Sequence, residues 1–200
     1  MTILTGFLGS GKTTLLNHIL DDSTHGLRFA IIENEFGEVG IDEKIISEKT
    51  DEELIEVMNG CICCTVRGDL VDSLKKLYSK ISQFDAVIIE TTGLADPAPV
   101  AQTFFIDKAI RGMYTLDGVI TVVDCKHIMT RLNEQKPEGV GNEAVEQVAF
   151  ADRILINKTD LIDAKDIPNI EARLRGINPE APFVRCTHSK VDPMTLIKIR

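Results

Sequence analysis

Eight residues near the start, Gly6-Phe7-Leu8-Gly9-Ser10-Gly11-Lys12-Thr13, have the spacing of a phosphate cradle. Phosphate binding needs those residue types in that order. Gly6, Gly9 and Gly11 let backbone N–H groups curl around phosphate oxygens. A helix starting at Lys12 adds partial positive charge at its first turn. Lys12 would neutralise the β and γ phosphates, and the Thr13 hydroxyl would reach Mg²⁺. Ser10 and Thr14 complete the nucleotide-binding stretch. The pattern carries weight only between a strand and a helix. Residues 2–5 are strand-like, and Leu15, Leu16, Ile19 and Leu20 mark one helix face, so the context agrees. The bland alternative is a glycine-rich turn that binds nothing.

A second run, Asn157-Lys158-Thr159-Asp160, follows the apolar residues 153–156. Guanine presents an N1–H and an exocyclic amine side by side, and one carboxylate, Asp160, can accept both. Adenine has no such donor pair, so Asp160 would select GTP over ATP. Asn157 would brace the loop and touch the base, and the Lys158 stem would cover one ring face. Alone, these four residues also make an ordinary turn; late in a chain with a phosphate loop they read as a base reader. Thr187-His188-Ser189-Lys190, after the next strand, either closes over the base or is a plain loop.

Residues 84–93 form an apolar strand ending in Glu90, with Gly93 three residues on. A carboxylate in that place sits near Mg²⁺, often through water, and the N–H of Gly93 would meet the γ-phosphate. Glu35 and Glu90 are the candidates to orient water or Mg²⁺. Asp124 ends another strand and reads as a helix N-cap. The run Glu33-Asn34-Glu35-Phe36-Gly37-Glu38-Val39-Gly40 suggests a cation-friendly loop or, blandly, a solvated acidic one.

Three of the five cysteines are packed into Cys61-Ile62-Cys63-Cys64. Cys61 and Cys63 share one face of an extended chain, and Cys64 joins them only if the chain turns. Three thiolates suit Zn²⁺ or Cu⁺. Structural zinc normally takes four protein ligands. Three leave a position for water, for a carboxylate such as Glu38 or Glu33, or for a receiving protein. An incomplete site is what a carrier needs, because the metal must leave. Inert buried thiols or a redox group are the alternatives. Cys125 and Cys186 are isolated and read as structural. His18, His25 and His127 lack ligand spacing and read as structural or solvated.

These motifs need a scaffold that aligns strand ends. Strand-like runs fall at 3–5, 29–32, 54–58, 86–89, 119–123, 153–156 and 183–185, and helical patterns at 12–20, 69–81, 100–110, 143–150 and 167–174. Such alternation predicts an α/β fold: a three-layer P-loop NTPase with a mainly parallel, doubly wound sheet. Residues 133–142, with Pro137, Gly139 and Gly141, read as a surface loop.

The 200 residues are 44% hydrophobic and 26% charged, which excludes wholesale disorder. The net charge is −9. Residues 1–100 carry 8 basic and 17 acidic side chains, against 14 of each in residues 101–200. Bulk electrostatics therefore give no hold on nucleic acid or an anionic membrane. Trp is absent and aromatics are 5%, which argues against a base-stacking platform. No export signal or membrane-length apolar run is present, so a cytoplasmic setting is expected.

Taken in order, residues 6–14, 33–42, 59–64, 90–97 and 157–160 resemble the CobW-type metallochaperone GTPases, which include the zinc-regulated GTPase metalloprotein activators. The resemblance covers essentially the whole chain. It implies that residues 1–200 are the GTPase domain, without the family's C-terminal domain. It implies GTP/GDP, Mg²⁺ and Zn²⁺ as ligands, with Cys61, Cys63 and Cys64 binding zinc near the acidic 33–38 loop. It also implies that residues 65–68 approach the nucleotide. The expected function is a GTP-hydrolysing zinc metallochaperone that passes metal to a client metalloprotein. Intrinsic turnover should be slow, on the order of 10⁻⁴ to 10⁻² per second, because no arginine finger is evident. An ATP-dependent small-molecule kinase, a non-enzymatic zinc-binding interaction module and a thiol redox role stay open.

Overall fold

The computed structural model describes residues 1–22, 26–33, 66–137 and 139–199, with the backbone alone described for Glu33 and for residues 66–69. Among the described residues, six strands form one sheet: β1 (Thr2–Thr5), β2 (Phe29–Glu33), β3 (Ala86–Glu90), β4 (Gly118–Asp124), β5 (Arg153–Asn157) and β6 (Phe183–Arg185). Their spatial order is β2-β3-β1-β4-β5-β6, and every pair is parallel. The expected strand at 54–58 lies outside the described residues.

Side chains alternate between the two faces of each strand, as a pleated chain requires. Ile3, Ala30, Ile32, Val87, Ile89 and Val119 point to one face. That face is covered by α2 (Val66–Tyr78), α3 (Ala98–Ile106) and α4 (Lys108–Met113). Further along the same face, Val123, Ile154 and Ile156 pack under α5 (Ile128–Leu132), α6 (Glu143–Ala149) and α7 (Ile167–Arg175). Leu4, Phe29, Ile31, Ile88, Ile120, Val122 and Leu155 point the other way, onto α1 (Lys12–Asp21) and the turn Pro193–Leu196. Burial on both faces explains why the strands read as apolar runs with no polar alternation. The three-layer α/β expectation holds.

The single helix expected over 100–110 is two helices. Asp107 breaks it in extended geometry, and its carboxylate accepts hydrogen bonds from the N–H groups of Ala109 and Ile110, starting α4. An N-cap inside an apolar-periodic run outweighs the periodicity. No helix among the described residues is long and apolar enough to cross a membrane.

Candidate functional site

The phosphate loop leaves β1 at Thr5 and enters α1 at Lys12, where β1 lies between β3 and β4. The chain winds to opposite sides of β1 at this point, and ligands of open parallel sheets bind outside such strand ends. Gly11 caps α1 with φ 109° and brings no side chain of its own to the first-turn N–H groups. A Cβ on Gly11 would collide with the Asn157 amide and the Ser189 hydroxyl, so glycine is required for both shape and φ. The Ser10 hydroxyl is buried without a hydrogen-bond partner among the described residues. Thr13 is half-buried and Thr14 exposed.

Lys12 and Glu90 are buried side by side. Lys12 Nζ donates to Gly6 O at 2.9 Å and lies 3.9 Å from Glu90 Oε1. Lys12 opens α1 and Glu90 ends β3, the neighbour of β1, so the parallel pairing and the return of the phosphate loop bring cation and carboxylate together. Beyond Glu90, Thr91 N donates to Leu4 O, which extends the ladder by one bond. Gly93 then crosses the phosphate loop so closely that a Cβ would lie 2.5 Å from Leu8 N.

Residues of the base-reading run hold the phosphate loop from the other side. Asn157 Nδ2 donates to Ser10 O and Ser189 Oγ, both at 2.9 Å, and Asn157 Oδ1 accepts Ser189 N at 2.9 Å. Ser189 Oγ donates onward to Gly11 O. His188 and Ser189 sit at φ 52° and 54°, left-handed geometry that is uncommon for non-glycine residues. Lys158, also left-handed at φ 60°, donates from Nζ to Gly9 O at 2.6 Å and Asp124 Oδ2 at 2.7 Å. Asp160 is exposed in the turn Thr159–Leu161, and Thr159 ties that turn to Cys186 O and the Thr187 hydroxyl.

Asp124 does not cap a helix. α5 has His127 at its N-cap position with no side-chain capping bond, and Asp124 instead accepts from Lys158 and the Lys126 N–H. Burial pushes its carboxyl up, but the hydrogen bonds from Lys158 and His127, the Lys158 charge and the Lys126 N–H outweigh this and hold it below its ordinary range. Two of the histidines read as structural or solvated, His127 and His18, have polar partners. His127 Nδ1 lies 3.0 Å from Asp124 Oδ2, and His18 Nε2 lies 2.9 Å from His188 O. Cys125 and Cys186 are free and buried, as expected for structural thiols; burial pushes them to about 12 and about 11.

Behind the phosphate loop is a cavity of about 230 Å³ lined by Phe7, Gly9, Asp124, Arg131, Gln147 and Lys158 among others. Gln147 carries no motif, yet it is 1% exposed and donates to Gly93 O and Ala95 O, both at 3.2 Å. Its only sequence signal is polarity inside the apolar stripe Ala144, Val148, Ala151. Cys61, Cys63, Cys64, Glu35, Glu38 and His25 lie outside the described residues, as does the side chain of Glu33. Among the described residues no cluster of three or more His, Cys, Asp or Glu could hold a metal ion.

A model of the "CobW/HypB/UreG, nucleotide-binding domain" family matches residues 1–185. This chain belongs to that family. It is 43% identical over 196 residues to the zinc chaperone YjiA of Escherichia coli (strain K12), covering 96% of this chain and 58% of that protein. It is 38% identical over 202 residues to zinc-regulated GTPase metalloprotein activator 1 of Schizosaccharomyces pombe, covering 98% and 48% respectively. The chain thus spans about half the length of the curated relatives it matches. Among solved structures, the Zn(II)-bound YjiA GTPase from E. coli superposes with TM-score 0.73 at 40% identity, covering 99% of this chain and 60% of that one. HypB from Helicobacter pylori, solved in complex with nickel, superposes with TM-score 0.67 at 18% identity over 98% of this chain and 80% of that one, a likeness of fold.

Proposed function

We propose that this family member is the nucleotide-switched part of a zinc metallochaperone. It binds and slowly hydrolyses GTP, carries Zn²⁺ as cargo and delivers it to a client metalloprotein. The observation that carries the nucleotide half is the join between cradle and base reader. Asn157 and Lys158 donate to Ser10 O and Gly9 O of the phosphate loop, so one hydrogen-bonded unit presents a triphosphate cradle and a guanine-selecting carboxylate, Asp160. The zinc half is supported by the soft ligand set Cys61, Cys63 and Cys64, and by relatives named zinc chaperones. Residues 1–200 act in this reading as one nucleotide-binding unit.

Lys12 leaves Gly6 O for the β and γ phosphates. The first-turn N–H groups of α1 and the orphaned Ser10 hydroxyl supply further donors. Gly6, Gly9, Gly11 and Gly93 keep the cradle open, and Thr14 closes its rim. The Thr13 hydroxyl and the buried Glu90 carboxylate are hard oxygen donors that fit Mg²⁺. Bound Mg²⁺ would spread the negative charge of the β and γ phosphates. Glu90, fixed beside Lys12, and Glu35 of the 33–40 run are the groups to orient the attacking water. Glu38 or Glu33 of that run completes the thiolate set, so γ-phosphate and metal act on one segment.

Coupling is reciprocal: if GTP changes zinc affinity, zinc changes GTP affinity by the same factor. A Zn²⁺ competition titration on GTP-analogue-bound and GDP-bound protein measures that factor. A several-fold difference, with binding lost in Cys63→Ser, is expected. Equal zinc affinity in both states would refute nucleotide control and leave a static zinc protein.

A further inference from the structure

Gln147 does something that the nucleotide motifs do not account for. It lies on α6, on the face turned to the sheet, and is buried to 1% exposure. Its backbone carbonyl accepts the Thr121 hydroxyl of β4, which fixes the helix turn that carries it. From that anchored position its amide donates to two carbonyls of the segment after β3, Gly93 O and Ala95 O. The same segment is pinned at its near end by Thr91, whose N–H donates to Leu4 O and whose hydroxyl donates to Thr5 Oγ1. Gly93 therefore spans two fixed points, with the phosphate loop directly beneath it at Leu8.

We infer that Gln147 is a positioning residue for the triphosphate-bound state, holding Gly93 at the height over the phosphate loop from which its N–H meets a γ-phosphate. The inference rests on the GTP reading above and adds the residue that sets the γ-phosphate sensor. Gln147 need not touch nucleotide. It acts through Gly93, so its loss should be felt where a γ-phosphate is present and not where it is absent. A residue that merely fills the core would affect both nucleotides alike.

The test compares Gln147→Leu, which keeps the volume and loses both donors, with the unaltered chain. Affinities for GDP and a non-hydrolysable GTP analogue are measured by calorimetry with Mg²⁺. Gln147→Leu should weaken analogue binding roughly 5- to 30-fold, the worth of two ordinary neutral hydrogen bonds, and change GDP binding less than about twofold. Equal weakening of both, or of neither, overturns the inference. Thr121→Val is a milder second probe should Gln147→Leu unfold. It removes only the hydroxyl that fixes the Gln147 carbonyl, and should weaken the analogue about 2- to 5-fold with GDP unchanged; parallel changes in the two nucleotides count against the inference. If the unaltered chain binds neither guanine nucleotide, the GTP reading falls and this inference with it. If it binds both and Gln147→Leu keeps their ratio, only this inference falls.

Discussion

Asn157→Ala is the sharpest probe of how this site is built, because it can be read without any ligand. Asn157 is 2% exposed, and the groups it serves belong to Ser10 and Ser189, each 1% exposed. The alanine variant loses three hydrogen bonds of 2.9 Å and a weak contact with the Cys186 thiol at 3.5 Å. It also leaves the Ser189 N–H and Ser10 carbonyl short of a buried partner. At about 1 kcal/mol net per bond, and somewhat more where a buried group is orphaned, the loss is about 3 kcal/mol. The left-handed backbone at His188 and Ser189 limits the penalty, because a released loop relaxes into ordinary geometry and recovers about 1 kcal/mol. The expected net is about 2–3 kcal/mol, or roughly a 4–12 °C fall in Tm for a domain of this size. Urea unfolding followed by circular dichroism is the assay, since the chain has no Trp to report fluorescence. Ser189→Ala should cost about 1 kcal/mol, and the double variant less than the sum of the two, because both remove the bond between Asn157 Nδ2 and Ser189 Oγ. A cost below about 0.5 kcal/mol for Asn157→Ala, or strict additivity with Ser189→Ala, would refute the idea that this side chain joins three loops.

Three further outcomes follow from geometry and burial. Gly93→Ala places a methyl 2.5 Å from Leu8 N and 2.7 Å from Leu8 Cα, backbone atoms that cannot swing aside, so GTP-analogue affinity should fall at least about tenfold; calorimetry showing unaltered binding would mean that Gly93 is not at the phosphate loop. Cys125 and Cys186 are held as neutral thiols by burial, up to about 12 and about 11, so iodoacetamide at pH 8 should label them in urea and spare them in the folded chain, as read by peptide mass mapping. Their folded pKa values lie above the ordinary value of 9.0, so the unfolded chain loses these protons first. Stability from both groups is therefore complete below pH 9 and declines as pH rises from about 9 toward 12, which alkaline unfolding curves would register.

Much of the candidate site was legible because each proposed chemistry falls on a short contiguous run. The phosphate loop, Asn157–Asp160 and Glu90 with Gly93 are local patterns that the fold brings together, and the Cys-x-Cys-Cys group is a further local pattern outside the described residues. The burial of β1 to β5 on both faces was legible too, because it leaves unbroken apolar runs such as residues 154–156. The break at Asp107 was misread because a helical stripe continues through a residue whose side chain caps the next helix.

Partner choice across the sheet belongs to the tertiary structure. Only the order β2-β3-β1-β4-β5-β6 sets β1 beside β3 and β4 beside β5, and so brings Glu90 to Lys12 and Asp124 to Lys158. Asn157 reaches Ser10 across 147 positions of sequence, and Gln147 reaches Gly93 across 54. No periodicity encodes such pairs. Residue types marked which segments of this chain carry candidate chemistry. The burial of polar groups, which must find partners once water is excluded, decided which segments hold one another in place.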